Sequence, residues 1–268
     1  MLCRLSITNL LAALFFCLAL SLCGEVEVAP VRLPGSSLDT SLRNEADRAV
    51  SQAALWLAAR QSPNGAWGDS NSVLLTSVSL LALKASKQPE YSEPCARAAL
   101  WLDSSATNGV ADLDAHAWRL LAVAQMLPAT PSRTSLLRRL ADLAKPAEAN
   151  ASAAAQAFWQ EALAAADLRK LTASPPPEAP AALNEAAAAW PPAPSSNRSL
   201  WQLARRINRE GGGQLLRGNT PLDWRADLAK RLVNTQRRAP GSGCYWEAAE
   251  AEIQVAETAF GVLCLAEL

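Results

Sequence analysis

Apolar residues recur three and four apart along most of this chain, the spacing of an α-helix with one buried face. Between Ser41 and Arg60, the residues Leu42, Ala46, Ala49, Ala53, Trp56 and Leu57 share one side. The following segment, near Ser72 to Ser86, is apolar almost all round, which predicts a helix covered on every side. The same pairing returns near 93–106 with 112–127, 131–145 with 151–169, 178–190 with 198–210, and 221–237 with 253–267. No stretch alternates convincingly with the period of a strand. The pattern therefore predicts an all-α chain of about five helical hairpins.

The hairpins are copies of one another. Ala53-Ala54-Leu55-Trp56-Leu57 returns 45 positions later as Ala98-Ala99-Leu100-Trp101-Leu102, and Trp190 lies 89 positions beyond Trp101, close to two further periods. Thr130-Pro131, Ser174-Pro175 and Thr220-Pro221 are spaced 44 and 46 apart. A hydroxyl N-cap followed by proline at the first helical position suits the opening of a helix. Turns repeat as well, with Asn64-Gly65 after Trp56 and Asn108-Gly109 after Trp101. The segment from Thr172 to Asn197 is rich in Pro and Ala and predicts a short or loose helix. Gly211-Gly212-Gly213 reads as a hinge or loop, and no phosphate-loop lysine follows it.

The second helices of three hairpins align. Thr76-Ser77-Val78-Ser79-Leu80-Leu81-Ala82-Leu83 matches Thr258-Ala259-Phe260-Gly261-Val262-Leu263-Cys264-Leu265, with His116 to Val123 between them in the chain. Upstream stand Gln61 to Gly68, containing Gly65 and Trp67, and Gln236 to Trp246, containing Gly243 and Trp246. A Gln, then Gly and Trp, then an apolar helix opened by Thr-Ala resembles the repeat of squalene-hopene cyclases and protein prenyltransferase β-subunits. The thioester domains of α2-macroglobulin-like proteins share that fold. The resemblance covers most of 41–268, clearest in hairpins one, two and five. It implies an α/α toroid, with concentric rings of helices around a central cavity. Gly65 and Gly243 then supply positive φ at helix reversals, while Trp67 and Trp246 close the gaps between hairpins.

Three chemistries known in that family can be tested on the residues. Zinc-dependent prenyl transfer needs an Asp, a Cys and a His, and the one histidine, His116, lies far before Cys244. A thioester needs Gln three residues after its Cys, where Cys244 has Glu247. Class II cyclases protonate an alkene with the middle acid of an Asp-x-Asp-Asp-Thr-Ala motif. Asp112-Leu113-Asp114-Ala115-His116-Ala117 occupies that place with two acids, and Asp114 would be the proton donor. The alternative for Asp112 and Asp114 is capping of the second buried helix, with His116 an ordinary helix residue. Such cyclases hold the acid between two toroids, and 268 residues suffice for one.

Composition narrows the setting. Arg4 followed by the uncharged Leu10–Leu22 run matches a secretion signal over residues 1–24, with cleavage after Ser21 or Cys23; an uncleaved anchor is the alternative. Residues 25–40 read as a linker and 41–268 as the repeat domain. Equal numbers of basic and acidic residues, 25 each, leave no basic face for nucleic acid. Cys95, Cys244 and Cys264 remain after the signal, an odd number that allows at most one disulfide; a Cys95–Cys244 bridge is conceivable and Cys264 reads as a buried small hydrophobe. The expectation is an exported binding or scaffold domain of the periplasm or extracellular space, without metal or cofactor. Its partner would be an envelope protein or an apolar, isoprenoid-like ligand. A class II cyclase-like enzyme using Asp114 is the alternative.

Overall fold

The structure is a computed structural model that describes residues 38–105, 112–127, 130–168, 179–192, 196–210, 214–241 and 243–268. The signal and most of the linker lie outside the described residues, as do Asn108-Gly109, Ser174-Pro175 and Gly211–Gly213. Among the described residues there are ten α-helices. They are α1 (Thr40–Ala58), α2 (Ser72–Ala85), α3 (Ser92–Ser104), α4 (Leu113–Met126), α5 (Pro131–Glu148), α6 (Ala153–Ala165), α7 (Ala179–Ala188), α8 (Asn197–Glu210), α9 (Trp224–Thr235) and α10 (Ala251–Glu267). The described residues are mostly helical, and the ten helices follow one another in five odd–even pairs, the hairpins of the sequence repeat, although α5 and α6 each pack on α4 rather than closely on each other.

Local chemistry accounts for the boundaries. Asp39, Thr130, Ser152 and Asp223 each accept a hydrogen bond from a backbone N–H in the first turn of α1, α5, α6 and α9, which satisfies a donor the helix itself leaves unpaired. Thr130-Pro131 therefore opens α5 as the sequence predicts. Thr220-Pro221 does not open α9. Those two residues form a strand, β2, paired antiparallel with β1 (Leu216–Arg217), and the helix begins at Trp224 behind its Asp223 cap. A second small ladder, β3 (Gln236–Arg238) with β4 (Cys244–Trp246), joins α9 to α10. Both ladders are too short to carry a visible alternation, so the sequence pattern missed them.

Helices α2, α4 and α10 form the interior, whereas α6 buries only Trp159 and Ala162 and α8 a single stripe. In α2 every residue from Leu75 to Leu83 is buried, and in α4 every residue from Ala115 to Ala124. The odd helices bury one stripe; in α1 it is Leu42, Ala46, Ala49, Ala53, Ala54, Trp56 and Leu57. Helices α8, α10, α2, α4 and α6 pack side by side in that order, so the last helix of the chain lies against the first hairpin. The Glu252 carboxylate at the start of α10 accepts from the backbone N–H of Asp69 at 2.6 Å and of Ser70 at 3.0 Å, just ahead of α2. Those N–H groups and the Ser70 hydroxyl hold the Glu252 carboxyl below its ordinary range.

Candidate functional site

The two complete turn motifs are built alike. Gly65 has φ +96° and Gly243 φ +80°, a conformation that L side chains rarely adopt. The following indoles are fully buried and anchored at both ends of the residue. Trp67 Nε1 donates to the Leu57 carbonyl at 2.8 Å, and its backbone N–H donates to the Thr76 hydroxyl at 3.0 Å. Trp246 Nε1 donates to the Leu232 carbonyl at 2.9 Å, and its backbone N–H to the Thr258 hydroxyl at 3.2 Å. Each indole thus satisfies a carbonyl in the last turn of its own odd helix and meets the threonine of its own even helix.

Each turn also grips the next odd helix. Gln61 donates from its amide to the Pro94 carbonyl in α3 at 2.8 Å, and Gln236 donates to the Ala49 carbonyl in α1 at 2.8 Å. Ala49 and Pro94 are 45 residues apart, the repeat length itself. The fifth hairpin therefore holds the first as the first holds the second.

Hairpin two lacks a tryptophan in its turn, and the side chain that takes over is Arg119. It lies fully buried in α4 at the position of Ser79 in α2 and Gly261 in α10. Its Nη2 donates to the carbonyl of Leu102, the repeat partner of Leu57. In hairpin five the slot stays empty, because a β-carbon on Gly261 would lie 2.6 Å from the Trp246 ring. Arg119 Nε and Nη1 have no hydrogen-bond partner, and burial, with Arg139 nearby, pushes its pKa down to about 10. Sequence reasoning missed this residue; the missing Trp and the charge inside an apolar helix were the available signals.

Asp112, Asp114 and His116 do come together at the start of α4. Asp112 is exposed and is the N-cap, its carboxylate accepting from the Asp114 N–H at 3.1 Å. Asp114 is largely buried and pairs with Arg198 of α8 at 2.6 Å. Burial raises its pKa, Arg198 opposes that by charge and hydrogen bond, and Asp112 adds to it. His116 is buried in the slot that Thr76 and Thr258 fill in α2 and α10.

Beneath Asp114 the even helices converge on aromatic rings. Trp118 of α4 lies 5.0 Å from Phe158 of α6, 4.9 Å from Trp201 of α8 and 5.3 Å from Phe260 of α10, centroid to centroid. Four helices thus meet ring against ring. Guanidinium groups lie over the cluster, Arg198 over Phe260 at 5.7 Å and Arg205 over Trp201 at 4.9 Å. Farther along, Glu161 of α6 pairs with Arg205 at 3.4 Å and with Arg209, both on α8.

Two shallow depressions lie away from the rings. One, of about 300 Å³, is bordered by Arg138, Asp142 and Asp167; the other, of about 400 Å³, is bordered by Asp112, Pro146 and Ser152. Among the described residues no group of three His, Cys, Asp or Glu side chains is placed to hold a metal, and no helix is long and apolar enough to cross a membrane. Cys95, Cys244 and Cys264 are free thiols, so the conceivable Cys95–Cys244 bridge is not formed. Burial pushes the Cys95 thiol up to about 11 and the Cys264 thiol higher still. Compared with protein-family models, with curated proteins and with solved structures, the chain matches none.

Proposed function

We propose that residues 41–268 form an α/α toroid that works as a non-catalytic binding or scaffold module of an exported protein. The joining of the fifth hairpin to the first is supported by the matched grips of Gln61 on Pro94 and Gln236 on Ala49, and by α10 lying against α2. The observation that carries the non-catalytic reading is the aromatic cluster. Trp118, Phe158, Trp201 and Phe260 pack ring against ring where four even helices meet, and in a toroid reading such packing takes up room that a substrate would need. Asp114 is occupied by an ion pair with Arg198 at 2.6 Å, which opposes the burial that raises its pKa and engages the carboxyl an alkene would have to reach. Loops and end faces of a stacked helical scaffold offer the surfaces for recognition. The partner is an envelope protein or an apolar, isoprenoid-like ligand, and no cofactor takes part.

Export rests on Arg4 and the Leu10–Leu22 run. The test joins the two halves of the reading. The native protein is recovered from fractionated cells, its N-terminus is sequenced, and its cross-linked companions are identified. The expected result is a start between Leu22 and Val26, or an intact anchor in the membrane fraction, with a specific protein or lipid attached. An intact Met1 in a cytosolic pool removes export. Incubation with linear polyprenes should give no cyclised product by mass spectrometry. Product that disappears in Asp114→Asn would replace the scaffold with the cyclase alternative.

A further inference from the structure

The series of packed even helices is interrupted once. From α8 through α10, α2 and α4 to α6 each helix lies closely against the next, but α6 and α8 share no comparable backbone packing. What spans them is side chain. Phe158 meets the edge of Trp201 with centroids 6.2 Å apart, and Glu161 holds Arg205 and Arg209. Among the described residues, helix α7 packs chiefly on α8 and β1 rather than on α5 or α6. A junction of a few long side chains opens at lower cost than interlocked backbones, since each contact can break by rotamer change.

We infer that α6 and α8 form a side-chain gate onto the aromatic cluster, latched by Glu161, that opens to a ligand with a flat apolar body and one acidic group. The rings behind the gate select the body. Trp118 is 1 % exposed and Trp201 6 %, so a stacking ligand reaches them only when the helices part. The arginines select the acid. Arg205 and Arg209 both point their guanidiniums at the Glu161 carboxylate, with Glu267 of α10 4.0 Å from Arg205, and Glu161 keeps about a fifth of its side chain in water. A ligand carboxylate or sulfonate can take its place while Glu161 turns to solvent, an exchange of one charge-assisted pair for another. Arg205 also lies over the Trp201 ring, so the acid slot and the aromatic surface adjoin. The gate draws its purpose from the binding-module reading but not its existence, and its tests do not involve export or an envelope partner.

The first test needs no substitution. In hydrogen exchange on the full chain, peptides from α6 and α8 should exchange about tenfold faster than those from α2 and α10, through local opening. Equal protection of all four helices overturns the gate. The second test uses anilinonaphthalene sulfonate, a flat apolar anion, with neutral Nile red as comparison. The sulfonate should bind saturably, and Glu161→Gln should tighten it by about threefold, the effect of removing a partly exposed ion pair. Arg209→Gln should weaken the sulfonate while Nile red, which needs only the loosened latch, binds at least as well, and Glu93→Gln on α3 should alter neither. A cooperative melt and unchanged exchange in α2 and α10 separate opening from general loosening. No sulfonate binding, or an equal response of both dyes to Arg209→Gln, overturns the ligand assignment. Should Glu161→Gln fail to fold, the exchange pattern and the Arg209→Gln comparison decide.

Discussion

A β-carbon on Gly243 would overlap the carbonyl oxygen of Gln52, nearly two hundred residues earlier in the chain. Gly65 stands in the same relation to Arg97, whose carbonyl oxygen would lie 2.5 Å from an added β-carbon, and Gln52 and Arg97 are one 45-residue repeat apart. Both glycines combine positive φ with a backbone neighbour that cannot rotate away. Gly218 and Gly241 have positive φ and open space around them. Alanine at Gly218 or Gly241 should therefore cost the backbone strain alone, about 1 kcal/mol. Alanine at Gly65 or Gly243 should cost about 2–4 kcal/mol, because overlap adds to strain. Urea melts of the four variants check the order, and a Gly243→Ala protein as stable as Gly241→Ala would remove the proposed junction between the fifth and first hairpins.

The two turn indoles make a second comparison. Trp67→Phe and Trp246→Phe keep most of the apolar volume and lose the donors to the Leu57 and Leu232 carbonyls. Each should cost about 1–3 kcal/mol, the penalty for a buried carbonyl left bare plus a small cavity. The effects should be alike in both hairpins, since the partners are equivalent. Thermal melts that show a large loss for one and none for the other would break the repeat equivalence.

Much of this arrangement was legible before any coordinate. The stripe from Leu42 to Leu57 and the all-apolar α2 are set by helical periodicity, which is local in the chain. Gly65, Trp67, Gly243 and Trp246 could be picked out because the repeat displays the same residues twice. The ladders β1–β2 and β3–β4 were hidden, since two or three residues cannot show a period. The aromatic cluster was hidden for a different reason. Trp118, Phe158, Trp201 and Phe260 come from four hairpins, and nothing in their spacing says that they meet. Asp112 could be read as a cap from its place before an apolar run, but the Asp114–Arg198 pair joins residues 84 apart and follows from the tertiary fold alone.

Arg119 offers a prediction that separates two opposed costs. Its Nη2 serves the Leu102 carbonyl, while its charge is buried with Nε and Nη1 unpartnered. Arg119→Lys keeps a donor of similar reach, and Arg119→Met keeps the apolar stem with no donor. If satisfying Leu102 matters more, Lys should be more stable than Met by about 1–3 kcal/mol. That is the expected result, because the carbonyl occupies the position that an indole serves in hairpins one and five. A Met variant at least as stable as the parent would mean that burying the charge outweighs the bond.

Asp114 gives the prediction with a defined pH sign. Burial raises its folded-state pKa above the ordinary aspartate value, against the pull of Arg198. Between the unfolded and folded values the native chain binds the extra proton, so stability falls as pH rises through that window. Its contribution is fully present below the unfolded value and lost above the folded one. Asn at this position imitates the protonated acid and carries no such cost. The Asp114→Asn protein should therefore melt higher than the parent near neutral pH, and the difference should shrink as pH is lowered toward the ordinary aspartate range. Arg198, about a third exposed, can return to water when its partner is gone, which keeps the loss of the ion pair small. Glu257, raised by burial, and Glu252, lowered by its N–H donors, titrate in both proteins and cancel from the comparison. Paired thermal melts from acid to neutral pH decide it. If Asp114→Asn melts lower at neutral pH and the gap closes in acid, the ion pair with Arg198 dominates, and Asp114 is held as a carboxylate for the sake of joining α4 to α8.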